Sequence, residues 1–86
     1  MMYEDKYDES IEHIDVDGNS SLLEDQSLET LQHVVGGYIE ILRTNDDRFM
    51  ACNEEGLLLG LPVNKVASEL AGRMIVGDVV VMYHMD

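Results

Sequence analysis

"DVVVMYHM", residues 78–85, is the stretch whose reading decides the fold. Successive side chains of a strand alternate between its two faces, so Val79, Val81 and Tyr83 point one way and Val80, Met82 and His84 the other. A strand with one wet face would be polar at every second position. This one is apolar on both sides, which predicts a central strand or one buried by a second subunit.

Working back from it, "YIEILRT" (38–44) and "RFMAC" (48–52) are rich in β-formers and flank the polar turn Asn45-Asp46-Asp47, a hairpin signature. Between this hairpin and the last strand, Gly56 punctuates the exit and Leu57–Leu59 forms a short apolar segment. Pro62 suits the first turn of a helix, where its missing N–H has no partner to lose. Val63, Val66, Ala67 and Leu70 then give that helix an inward face, and Gly72 ends it. On the other side of the hairpin, Ser27 caps a helix over 28–35 and Glu29 meets its positive end. Leu28, Leu31, Val34 and Val35 form its apolar stripe, and Gly36 supplies the left-handed stop. Ahead of it, Ile11, Ile14 and Val16 read as a short strand turned by Asp17-Gly18-Asn19, with Leu22 and Leu23 continuing into another. The order β(β)αββαβ predicts an α+β domain at 11–86. Its expected core is a small antiparallel or mixed sheet of four to five strands, with two short helices on one side. Residues 1–10 read as an acidic, flexible N-terminal tail.

Eighty-six residues make one domain, and a chain this short often finishes its burial by forming a homodimer or higher homo-oligomer. Charge is the outlier: eighteen acids against five bases give −13. Residues 1–29 hold ten of the acids and one lysine, so most of the imbalance is N-terminal. Such a surface repels phosphate backbones, which argues against direct nucleic-acid binding and leaves solubility or attraction to a basic partner groove. The lone Cys52 precludes an intramolecular disulfide, the acidic start has no apolar core, and no run is long enough to span a membrane. The expected location is the cytoplasm.

Motifs for chemistry are few. Asp15, Asp17 and Asn19 occupy places one, three and five of a calcium loop, but place six is Ser20 rather than glycine and place twelve is Gln26 rather than glutamate. His13, His33 and His84 lack the close spacing of a zinc site, and Cys52 lies in a strand pattern without an activating turn. Gly36-Gly37 precedes a strand rather than opening a helix, the wrong context for phosphate. Neither a metal nor a cofactor is expected, and no nucleophile, base and oxyanion donor assemble, so an enzyme is not expected either.

The stretch "NEEGLLLGLPVNK" (53–65) carries the strongest geometric signal for recognition. Asn53 ends a strand, Gly56 and Gly60 permit two bends, and Pro62 starts a helix whose amides point back toward the second bend. Such an arrangement can hold an anion, with Asn64 and Lys65 adding an amide and a charge. Arg43, Arg48 and Arg73 are further cations in the same half of the chain.

The ordered segments "LETLQHVVGGYIE" (28–40), "CNEEGLLLGLPVNKVA" (52–67) and "IVGDVVVM" (75–82) resemble a small domain family of unknown function. That family is carried by bacteriophages and by mobile elements of gut Firmicutes, often near antirestriction genes. The likeness covers about residues 22–83. Asn53, Glu54, Glu55, Gly56, Leu61, Pro62, Asn64 and Lys65 match its last motif directly. Relatives usually begin with a basic, apolar strand where this chain has an acidic extension. The resemblance implies a phage or mobile-element accessory role toward the host and supplies no activity.

Two functional expectations follow. The first is a non-catalytic antagonist of host defence that sequesters a small anionic, cyclic-nucleotide-like signal through Asn53, Gly60, Asn64, Lys65, Arg43 and Arg48. The alternative is an acidic, DNA-mimic-type inhibitor of a host nuclease, CRISPR effector, polymerase or other nucleic-acid-binding protein. Its protein-binding residues would be Glu4, Asp5, Asp8, Glu9, Asp15, Asp17, Glu24 and Asp25.

Overall fold

The computed structural model describes residues 10–84. Its last strand, β5 (Val79–Met82), stands in the middle of a five-stranded sheet, and all four of its residues are buried. The other strands are β1 (Ile11–Ile14), β2 (Ser20–Leu23), β3 (Ile39–Arg43) and β4 (Phe49–Asn53). The sheet order is β2-β1-β5-β4-β3, and every neighbouring pair is antiparallel. One hairpin lies at each edge, and β5, the last strand in the chain, lies between β1 and β4. Ile14 lies opposite Val79 on one side of that slot and Ala51 opposite Val80 on the other. Each fully buried aliphatic side chain stabilises the fold by roughly 1.5–3 kcal/mol. By pairing with β1 and β4, β5 joins the two hairpins into one sheet.

Three helices connect the strands. Helix α1 (Leu28–Val35) has the predicted bounds: the Ser27 hydroxyl accepts from the Thr30 amide, and Gly36 closes the helix at φ 83°. A single turn, α2 (Gly56–Leu59), forms from the apolar segment after β4, and α3 (Lys65–Ala71) follows it. Asn64 caps α3, so this helix starts later than Pro62 suggested. The reason is long-range. Residues 62–64 run extended beside 75–77, with the Asn64 amide donating to the Ile75 carbonyl at 2.8 Å and the Gly77 amide to the Pro62 carbonyl at 2.8 Å. From that register Ala67 is fully buried and Leu70 and Ala71 pack on the core, whereas Val63 and Val66 are exposed.

The two main helices cover opposite faces of the sheet, not one side as expected. Ala67, Leu70 and Ala71 of α3 pack with Ile14, Met50, Cys52, Val79 and Val81. Leu31 and Val34 of α1 pack with Ala51, Val80 and Met82 on the other face. The cause lies in β4 and β5, whose alternate residues are apolar on both sides, so each face needs its own cover.

Candidate functional site

The loop 53–65 is built largely from residues that hold the fold together. Asn53 is buried; its Nδ2 donates to the Val35 carbonyl at 2.9 Å and its Oδ1 accepts from the Glu55 amide at 2.7 Å. It thereby ties the end of α1 to the exit of β4. Asn64 is 0 % exposed. Its Nδ2 donates to the Ile14 carbonyl at 3.1 Å and to the Gly77 carbonyl at 2.9 Å, while its Oδ1 caps α3 by accepting from the Ala67 amide at 3.0 Å. Gly60 takes φ 70° to end α2, a conformation that favours glycine. Lys65 is exposed and borders a shallow recess of about 310 Å³ in company with Asp17 and Glu69.

The arginines are likewise engaged. Arg43 pairs with Asp47 at 3.2 Å and lies 4.7 Å over the Phe49 ring. Arg48 pairs with Asp46 at 2.8 Å and with Glu12 at 3.4 Å, and sits 5.5 Å over Tyr83. The hydrogen bond from Arg48, with a second from Thr44, holds the Asp46 carboxyl below its usual value; the same bond raises Arg48. Arg73 lies 3.7 Å from Glu40. Of the six residues expected to bind an anion, only Asn53 lines the larger recess described below and only Lys65 the smaller; Gly60, Asn64, Arg43 and Arg48 line neither.

The acids divide by role. Asp15 accepts from the Asp17 and Asn19 amides, both at 2.9 Å, and closes the β1–β2 turn. Asp25 accepts from the Ser27 amide at 2.9 Å just ahead of α1. These backbone bonds, from Asn19 above all in the first case and Ser27 in the second, lower both carboxyls. Asp17 and Glu24 are exposed. Glu4, Asp5, Asp8 and Glu9 lie outside the described residues.

Where β4 runs into α2, the surface opens into a recess of about 340 Å³. Cys52 and Ile75 form its buried floor, and Leu57, Leu58 and Met74 its lip. These lip residues are 70 %, 87 % and 59 % exposed, and the adjoining Leu59 is 57 % exposed. Glu40, Glu54, Glu55 and Arg73 complete the rim. Burial, followed by the nearby Glu40 charge, pushes the Cys52 thiol up to about 11, so it is protonated at neutral pH.

Sequence reasoning missed this apolar lip, although "LLLG" carried the signal. Three successive leucines within one helical turn cannot all face the core, because neighbours on a helix point about 100° apart. Met74 carried no comparable mark; only the tertiary fold brings it beside α2.

The family model that matches the chain, over residues 5–86, is described as a domain of unknown function (DUF3846). The match takes in β1, β2 and part of the acidic N-terminal segment, beyond the 22–83 that the sequence motifs cover. No curated protein and no solved structure matches.

Proposed function

The chain belongs to that family of unknown function, and we propose that it is a non-catalytic, acidic inhibitor that occupies the basic groove of a nucleic-acid-binding protein. One observation carries the reading. Residues 10–84 hold thirteen acids against four lysines and arginines, and three of those four cations are already held by carboxylates of the same chain. Among the described residues the exterior therefore presents negative charge and no assembled cluster of cations. A surface of that sign is drawn to the same grooves that bind nucleic-acid phosphates.

The resemblance of the three motifs to a phage and mobile-element family supports a host protein, such as a defence nuclease or a polymerase, as the target. Sequestration of an anionic signal finds less support, because Asn53 and Asn64 have their amides committed to backbone partners and Arg43 and Arg48 are paired.

The test is competition. Purified domain is titrated into complexes of fluorescent duplex DNA with host nucleases, CRISPR effectors and polymerase, at two salt concentrations. Displacement that weakens with salt is expected. Failure to displace DNA from any of them, together with heat of binding to a cyclic oligonucleotide in calorimetry, would return the choice to anion sequestration.

A further inference from the structure

We infer that the lip of the recess, Leu57 and Leu58 of α2 with Met74, is a docking surface for a short segment of a partner protein that combines apolar residues with lysine or arginine. The inference deepens the proposed inhibitory role and takes from it only the existence of a protein partner.

Leu57, Leu58 and Met74 are mostly exposed, yet they border one recess of about 340 Å³ rather than lying scattered. Isolated exposed leucines are ordinary, whereas contiguous apolar groups beside a concavity mark an interaction site. The turn directs these side chains outward but does not require that they be leucines. Gly56 is the buried residue of α2, where an added Cβ would meet Val76 at 2.6 Å, and Leu61 packs against both Gly56 and Gly77. Gly56 and Leu61 anchor α2 from below. The fold therefore places no demand on Leu57 or Leu58, and polar residues there would spare the hydration cost.

Charge selects the occupant. Glu40, Glu54 and Glu55 stand on the rim against Arg73 alone, and Arg73 is already within 3.7 Å of Glu40. A second copy of the chain would bring the same three carboxylates face to face, on molecules that each carry −13. An anionic membrane surface is repelled for the same reason. A segment with apolar side chains for the recess and cations for the rim satisfies both features at once, the apolar centre and charged border that protein interfaces share.

The probe is a synthetic amphipathic peptide with leucines on one face and lysines on the other, titrated into the full chain and followed by amide NMR shifts. Shifts centred on residues 54–58 and 73–76 are expected, with a Kd that weakens as salt is raised. Leu57→Ser with Leu58→Ser should weaken binding about tenfold or more, the loss typical of a central anchor residue, while leaving the thermal midpoint in place. Glu54→Lys with Glu55→Lys should weaken it comparably. An all-leucine-to-serine control peptide should not bind.

Shifts centred instead on Asp17, Glu24 or Asp25, or binding untouched by the leucine substitutions, would overturn this docking surface. So would sedimentation showing a dimer that those same substitutions dissolve. Displacement of DNA from a host protein that survives Leu57→Ser/Leu58→Ser would sink the surface and leave the inhibitory function standing. Peptide binding at the lip with no displacement anywhere would do the reverse.

Discussion

Substituting Asn64→Ala separates a structural asparagine from a ligand-binding one. Asn64 is fully buried, and its side chain makes three hydrogen bonds that join the end of β1, the approach to β5 and the start of α3. Losing an N-cap costs about 1 kcal/mol. Each buried carbonyl deprived of its donor adds about 1–3 kcal/mol; the low end applies because the Ile14 carbonyl also lies in the β1–β5 ladder. The total is about 3–4 kcal/mol, set against about 4–13 kcal/mol for the whole stability of a domain this long. At about 4–8 °C per kcal/mol, the thermal midpoint should fall by about 15–30 °C. Circular dichroism melts and urea titrations measure this, the latter with an unchanged slope against denaturant. Asn64→Asp supplies a signed control. It keeps the capping oxygen but turns a carboxylate toward two carbonyls, which raises its folded pKa above the unfolded value of about 3.9. Its stability is therefore retained below that value and lost as pH rises, so the variant should be weaker at pH 7 than at pH 4 relative to wild type. A loss under about 1 kcal/mol for Asn64→Ala would refute the reasoning and reopen the residue as a ligand contact.

Other outcomes follow from the same contacts. Because Cys52 is 5 % exposed and its thiol titrates near 11, it should resist a disulfide reagent at pH 8 until the protein unfolds, and rapid labelling of the native chain would contradict that burial. Gly77→Ala should cost about 1–3 kcal/mol in urea titrations, since Gly77 sits at φ 82° and a Cβ there would lie 2.7 Å from Leu61 Cδ1. Asp15, Asp25 and Asp46 are all held below their unfolded pKa, so the stability they supply is complete above about pH 5 and disappears as pH falls through their folded values. The urea midpoint should drop between pH 5 and pH 2, and Asp25→Ala should flatten that drop. Leu58→Ser, at a position 87 % exposed, should change stability by no more than about 0.5 kcal/mol, and a larger loss in the melt would mean that the leucine is structural.

Much of the fold was legible because its determinants are local. Ser27 and Gly36 bracket α1 through hydrogen bonds that span only a few residues, and Asn45-Asp46-Asp47 turns the β3–β4 hairpin within its own loop. The two apolar faces of β5 called for cover on both sides, and its central place between β1 and β4 supplies that cover within the chain. The same feature argued for cover on each face, yet the placement of α1 and α3 was read as one-sided. Periodicity tells which face of an element is apolar but not which neighbour meets it.

The candidate site was harder to read because its properties are relational. By itself the sequence marked 53–65 as unusual, through its glycines, Pro62, three adjacent leucines and acidic pair. It determined that Gly60 would bend the chain and that net charge would be strongly negative. Tertiary structure alone decided that the amides of Asn53 and Asn64 are committed to backbone carbonyls from distant segments, that Arg48 also meets Glu12, and that Met74 joins Leu57 and Leu58 beside one recess. The physical reason is that an amide or a leucine has the same composition whether it is spent inside the fold or offered to solvent. Only the partners brought to it by residues tens of positions away distinguish the two.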